Sequence, residues 1–160
     1  MNQKNSFIAP QLNFRRACLS DSDRLLGWRN DPDARINFFN TNEVSQANHE
    51  AWFFDVLQNK NQILYIIETR GCLPIGQMRF DIDGECAEIS ITIGKKYRGR
   101  GYGSEAIRQG TRLFFQENIG VKSIIAQIKN INEISIRSFI RAGFMMSASM
   151  ANTTKLILMK

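Results

Sequence analysis

Three glycines at alternate positions, set among basic residues, constrain this chain more than any other stretch: Lys95-Lys96-Tyr97-Arg98-Gly99-Arg100-Gly101-Tyr102-Gly103-Ser104-Glu105-Ala106. Before them, Glu88-Ile89-Ser90-Ile91-Thr92-Ile93 alternates polar with β-branched apolar residues and reads as a strand. After them, Ile107, Gly110 and Phe114 recur at helical spacing as far as Asn118-Ile119-Gly120, a C-terminal stop. The glycines therefore lie in a turn from the end of a strand to the start of a helix. Gly99, Gly101 and Gly103 let backbone N–H groups approach a ligand with no Cβ in the way. A helix start adds its free N–H groups and the positive end of its dipole. With Lys95, Lys96, Arg98 and Arg100 in the same turn, the expected chemistry is a cradle for a diphosphate.

Known anion-binding motifs narrow the choice. Gly101-x-Gly103-x-x-Ala106 matches the dinucleotide fingerprint and has its strand-turn-helix setting. That fold also needs an acidic residue roughly 20 positions on, at the end of the next strand. Here the next strand, expected over residues 121–128, closes on Lys129-Asn130, and the segments before the glycines read as hairpins rather than βαβ units. A phosphate-loop NTPase is excluded because no G-x-x-x-x-G-K-[ST] run occurs. The plain alternative is a basic turn that is merely solvated, against which stand three alternating glycines.

A length of 160 residues fits one domain with a substantial core, and 43% apolar with 22% charged residues is ordinary for a soluble globular chain. Residues 1–10 are polar and are expected to be loose. A net charge of +6 suits a polyanionic partner. Nucleic acid is not the expected one, because no helix-turn-helix or RNP-like motif occurs and the cations gather at a glycine turn. Cys18, Cys72 and Cys86 are scattered and His49 is the only histidine, so neither a disulfide framework nor a metal site is expected. The first residues lack a signal-peptide core and no apolar run reaches membrane-spanning length, so the expectation is a cytoplasmic protein without membrane contact.

The remaining elements follow from punctuation. Residues 12–17 read as a strand and Ser20-Asp21-Ser22-Asp23 as a helix start, the helix ending at Asn30-Asp31-Pro32-Asp33. Residues 34–45 match no pattern. Ser45 is placed to cap a helix through Gln58, with Ala47, Ala51 and Phe54 along one side and Trp52 and Val56 along another. Arg70-Gly71 and Asp83-Gly84 are hairpin signals that bracket strands at 63–67, 74–82 and 85–94. A helix over 103–118, a strand over 121–128, a helix over 132–142 with Gly143 after it, and a hairpin of 145–150 with 155–159 complete the chain.

Arg98-x-x-Gly101-x-Gly103 resembles the R/Q-x-x-G-x-G/A acetyl-CoA signature of the GNAT superfamily of N-acetyltransferases. Asn132-Glu133-Ile134-Ser135-Ile136-Arg137-Ser138-Phe139-Ile140-Arg141-Ala142-Gly143-Phe144 resembles the N-x-x-S-x-x-x-[YF]-x-x-x-G-F helix of the same family, in the expected order. The resemblance covers nearly the whole chain. It implies an α/β fold whose mixed, mostly antiparallel sheet splays between two parallel central strands, flanked by helices. It also implies acetyl-CoA as cosubstrate, no metal, and direct transfer of the acetyl group to a primary amine.

The resemblance distributes roles as follows. Arg98, Gly99, Arg100, Gly101, Tyr102, Gly103 and Ser104 would hold the diphosphate, Ile91 and Ile93 the pantetheine and thioester by their backbone, and Asn132 the pantetheine arm. An asparagine there is also a good helix cap. Glu88, in the phrase Ala87-Glu88-Ile89, would be the base that takes the amine proton; it shares one face of its strand with Ser90 and Thr92, and that face can be cleft or water. Many members carry a tyrosine at the place of Phe139, thought to protonate the leaving thiolate. Phenylalanine has no proton to give, but a thiol leaves tolerably as thiolate. Ser135, one turn earlier on the same face, is the candidate donor, or else a serine with local backbone bonds.

Trp28-Arg29-Asn30 and His49-x-x-Trp52 resemble the W-R-N … H-x-x-W pattern of GNAT enzymes that acetylate nucleotide-linked amino sugars, as in pseudaminic acid synthesis. The acceptor expected first is therefore the 4-amino group of a sugar nucleotide, bound by Trp28, Arg29, Asn30, His49 and Trp52. The α-amine of a ribosomal protein comes second. A second copy of the chain is a further expected partner. A non-catalytic acetyl-CoA-binding module stays open.

Overall fold

A computed structural model describes residues 9–160. The expectation of a loose N-terminus falls, for residues 1–8, outside the described residues.

The described residues open with β1 (Leu12–Arg16), a single 3-10 turn, and α1 (Ser22–Asn30). The stretch without a sequence pattern holds one short helix, α2 (Pro32–Arg35), then irregular chain up to α3 (Gln46–Gln58). Asp31 does not simply end α1: its side chain accepts from the Asp33 N–H and so starts α2, with Pro32 in the first turn. Ser45 caps α3 as expected, accepting from the Asn48 N–H. The buried side of α3 is the one with His49, Phe53 and Val56, whereas Phe54 is 58% exposed. Three antiparallel strands follow: β2 (Gln62–Thr69), β3 (Pro74–Asp83) and β4 (Cys86–Ile93). Then come α4 (Tyr102–Glu117), β5 (Ser123–Lys129), α5 (Glu133–Arg141), β6 (Met145–Ser149) and β7 (Thr153–Met159). No helix among the described residues is long and apolar enough to cross a membrane.

The seven strands form one sheet in the order β1-β2-β3-β4-β5-β7-β6. Every neighbouring pair is antiparallel except β4 with β5, joined by the α4 crossover. This is the mixed, mostly antiparallel sheet expected.

Period-2 alternation divides the sheet into two faces. Ile63, Tyr65, Met78, Phe80, Ala87, Ile89, Ile124 and Ala126 pack with Ala106, Ile107 and Phe114 of α4 and with Phe139 of α5 into the main core. Leu64 and Ile66 face the other way and meet Leu25 of α1 with Phe53 and Val56 of α3. Gly110 brings α4 close to the sheet, since a Cβ there would lie 2.5 Å from Met78 Sδ and 2.9 Å from Phe14 Cε1.

Candidate active site

The parallel pairing of β4 with β5 is short. Cys86, Ala87 and Glu88 register with Ser123, Ile124 and Ile125, and there the pairing stops although both strands run on. Beyond that fork the main chain of β4 faces a gap. The Gly94 N–H donates to the Ile75 carbonyl of β3 (2.8 Å). Alternation then turns the groups of Thr92 and Ser90 towards β3, and those of Ile91 and Ile93 towards the absent β5 partner. The Ile93 carbonyl instead accepts from Arg98 Nε (2.8 Å). What remains in the gap is the N–H of Ile93 and both groups of Ile91, the two residues expected to hold a pantetheine.

The glycine turn closes one end of that gap. Gly99 and Gly101 sit at φ of 72° and 81°, where a side chain is strained. Gly101 is the N-cap of α4, and no side chain caps that helix. The first N–H groups of a sixteen-residue helix therefore point outward unbonded. Tyr102 lies edge-on to Tyr97, with ring centroids 6.1 Å apart. Ser104 uses its hydroxyl locally, donating to the Gly101 carbonyl (3.3 Å). These features fit a bound diphosphate: uncapped donors, a helix dipole and no obstructing side chain.

The four cations of the turn divide. Lys95 pairs with Asp33 (2.8 Å) and Arg98 with Asp31 (2.5 Å), so both are turned back onto the α1–α2 corner. The Asp33 carboxylate holds the Lys95 proton more tightly, and Lys95 in turn lowers the pKa of Asp33. Lys96 and Arg100 have no ion-pair partner among the described residues and are exposed.

Glu88 stands at the fork itself. Its side chain is half-buried on the face away from α4, and its Oε2 accepts from Gln127 Nε2 of β5 across the opening (3.0 Å). Asp81 is directly opposite on β3, held by Gln62 (2.7 Å) and Arg79 (2.9 Å). Arg79 lies 5.6 Å from the ring centroid of Trp52. So the face beside Glu88 carries a carboxylate, a paired guanidinium and an aromatic ring.

Asn132 caps α5, its Oδ1 accepting from the Ser135 N–H (3.2 Å). The Ser135 hydroxyl makes no hydrogen bond among the described residues; Ser138 is the serine that bonds back into its helix, to the Ile134 carbonyl (2.8 Å). Phe139 is 2% exposed and packs edge-on against Phe144 at 4.9 Å, a core position.

The residues expected to bind the acceptor are not brought together as one surface. His49 is 2% exposed, stacked on Phe53 and bonded through Nε2 to the Ser22 carbonyl (2.9 Å). Burial is the main cause that lowers its pKa. Asn30 exchanges two bonds with the Val44 backbone (2.8 and 2.9 Å). Arg29 donates to the Asn40 carbonyl (2.8 Å) and lies over the Phe38 ring at 4.6 Å. Trp28 packs over Gly94, where a Cβ would lie 2.9 Å from the indole nitrogen. Trp28 and Trp52 both pack on the sheet face that holds Glu88, and Trp52 meets Arg79 there.

The residues that sequence reasoning missed are Asp31, Asp33, Arg79, Asp81 and Gln127. Asp31-Pro32 read only as a turn, and nothing in its local pattern announces a partner 67 positions on. Two grooves along α4 are likewise no guide. One of about 660 Å³ lies between Arg112, Phe115, Ile119 and Leu158, and one of about 430 Å³ beside Gln11 and Gln109, both along α4 away from the fork.

The sheet forks between its parallel strands beside an uncapped glycine turn, a shape that fits the carrier the two motifs implied. Residues 11–145 match the family model described as an acetyltransferase (GNAT) domain. The chain belongs to the GNAT acetyltransferase domain family, and by that membership it is an acetyl-CoA-dependent N-acetyltransferase. Among curated proteins none matches the sequence.

Solved structures share the fold at low identity. A spermidine N-acetyltransferase from Vibrio cholerae, in complex with CoA and spermine, superposes with a TM-score of 0.86 at 15% identity, covering 93% of this chain and 95% of that one. The aminoglycoside acetyltransferase AAC(6')-Ib with coenzyme A and kanamycin gives 0.80 at 18%, covering 94% and 95%. A domain from Methanocaldococcus jannaschii gives 0.80 at 22%, covering 94% and 99%.

Proposed function

We infer that this chain moves an acetyl group from the thioester of acetyl-CoA to a primary amine of a small molecule, with Glu88 as base. The observation that carries this is the position of Glu88 at the last paired residue before the strands part. A carboxylate there adjoins both the gap and the open sheet face. In this reading the diphosphate rests on the N–H groups of residues 101–104, with Lys96 and Arg100 beside it. The thioester lies along Ile91 and Ile93, whose free N–H groups face the carbonyl oxygen as it gains charge. Glu88 takes a proton from the amine, the nitrogen attacks the carbonyl carbon, and the C–S bond breaks to release thiolate. Ser135 or solvent then supplies the thiolate proton, because Phe139 has none.

The acceptor reading shifts from a diphosphate-bearing sugar towards a small amine that is itself cationic. Arg29 Nη2 and Asn30 hold the backbone of Asn40 and Val44, and His49 holds the Ser22 carbonyl, so these groups are already engaged. The face beside Glu88 carries two carboxylates, Glu88 and Asp81, against the one guanidinium of Arg79, with the Trp52 ring beside it, a balance that suits an ammonium and a flat or apolar body. The related folds solved in complex with spermine and with kanamycin suit that class. A nucleotide-linked amino sugar is the second reading, favoured by the Arg79–Trp52 pair, which presents a guanidinium over a ring.

The deciding experiment offers acetyl-CoA with spermidine, kanamycin, a UDP-4-amino-4,6-dideoxy sugar and a peptide with a free N-terminus, and follows thiol release. Spermidine or kanamycin turning over first is expected. Preference for the sugar nucleotide, with a tenfold or larger loss in Arg79→Ala, would put the second reading first. Preference for the peptide would put protein α-amines first.

A further inference from the structure

The segment between α1 and α3 is fastened to both sides of the forked sheet. On the β4 side, Asp31 Oδ2 meets Arg98 Nη2 (2.5 Å), Asp33 meets Lys95 (2.8 Å), and the Trp28 indole covers Gly94. On the β5 side, Lys129 Nζ donates to the Ile36 carbonyl (3.2 Å). Within the segment, Asn30 pins Val44 and Arg29 holds Asn40 and Phe38. Residues 31–45 are thus a strap across the mouth of the fork, on the face where Glu88 lies. Ile36 and Phe39 stand 60% exposed on it.

The joint between strap and cofactor turn is Arg98. Its Nε binds the end of β4 and its Nη2 binds Asp31, whose other oxygen caps α2. A guanidinium engaged twice in this way braces the turn rather than reaching a phosphate. Asp31, with a side chain only 13% exposed, caps α2 with one oxygen and has its charge balanced by Arg98 at the other. The pair connects two places 67 positions apart that must both be in place for transfer.

We propose that Asp31, through Arg98, is a positioning residue that makes the order of the acceptor wall depend on cofactor bound at the glycine turn. This rests on the reading of residues 98–104 as the coenzyme A cradle. A diphosphate on the turn immobilises residues 99–103, which fixes Arg98, Asp31 and the start of α2 in succession. Rigidity gained by the first ligand lowers what the second must spend on ordering its own wall. The chain of contacts has identified members, so the coupling is testable link by link.

The test is amide hydrogen exchange of residues 31–45 with and without coenzyme A, beside calorimetric affinities, in wild type, Asp31→Asn and Arg98→Lys. Asparagine can keep the α2 cap but cannot make the ion pair. Lysine keeps the charge but has no fork to hold Ile93 and Asp31 together. Coenzyme A is expected to slow exchange across the segment in wild type by about tenfold, the factor that one charge-assisted bond supports. In both variants the slowing should disappear, and in Asp31→Asn, which leaves residues 98–104 unaltered, coenzyme A should still bind within about threefold of wild type. Slowing that persists in a folded variant, or binding in wild type without any slowing, overturns the coupling alone. No binding of coenzyme A to wild type overturns the cradle reading and the coupling with it.

Discussion

Glu88 and Cys72 show how much one side chain is asked to do here. Among the described residues Glu88 has a single hydrogen-bond partner, the neutral Gln127 amide, and an open face beyond it. Glu88→Gln is expected to lower turnover about 100-fold at neutral pH, with part of the rate recovered as pH rises and free amine accumulates. Wild-type turnover of the variant across that range would make Glu88 a bystander. Cys72 is a different case. The β2–β3 connection was legible from Arg70-Gly71, yet the left-handed residue is Cys72 at φ 58°, not the glycine before it. An L-residue there costs roughly 1–2 kcal/mol that glycine avoids. Cys72→Gly should therefore stabilise the protein by up to about 1 kcal/mol after its larger unfolded-state entropy is counted, visible as a raised urea midpoint.

At the scale of elements, α4 and α5 begin in opposite ways. α5 has an asparagine cap that satisfies one of its own donors. α4 begins on a bare left-handed glycine and has no side-chain cap for its first donors. That contrast tells a structural helix start from one kept open, and it makes Gly101 the position to test. Valine cannot adopt φ of 81° without strain, so Gly101→Val should move the first turn and abolish coenzyme A binding in calorimetry. A thermal melt within a few degrees of wild type would show that the loss is local. Unchanged affinity in that folded variant would remove the cradle.

For the whole molecule, acid is the revealing perturbation. Asp21 is 0% exposed and takes both Arg15 and Arg24, tying β1 to the first helical turn. The Arg15 hydrogen bond, working against burial, holds its pKa at about 2 instead of 3.8. A carboxylate whose folded pKa is depressed stabilises the fold above its unfolded pKa and loses that contribution as pH falls. The window is therefore about pH 4 down to 2, and the contribution is about 2 kcal/mol. Asp21→Asn should be less stable at pH 7 by about that amount and should show a flatter loss of stability between pH 4 and 2. Parallel curves for the two proteins would mean that other carboxylates govern acid unfolding.

Local chemistry determined a good deal by itself. Alternation marked β3 and β4, the glycine run marked the start of α4, and Asn132 with Gly143 marked both ends of α5, because each signal needs only residues within a few positions of one another. Family motifs carried the cofactor site for the same reason: they are contiguous. What tertiary structure alone decided is where strands part and which charges meet. Strand pairing between residues 88 and 125 has no local signature for stopping, so the fork and the partner of Glu88 became visible only in the folded sheet. Arg29, Asn30 and His49 looked like acceptor ligands because composition states what a side chain can bind, not what already binds it. Folding placed the carbonyls of Asn40, Val44 and Ser22 within reach, so Arg29 Nη2, Asn30 and His49 meet their own backbone, while Arg29 Nη1 is buried without a partner among the described residues.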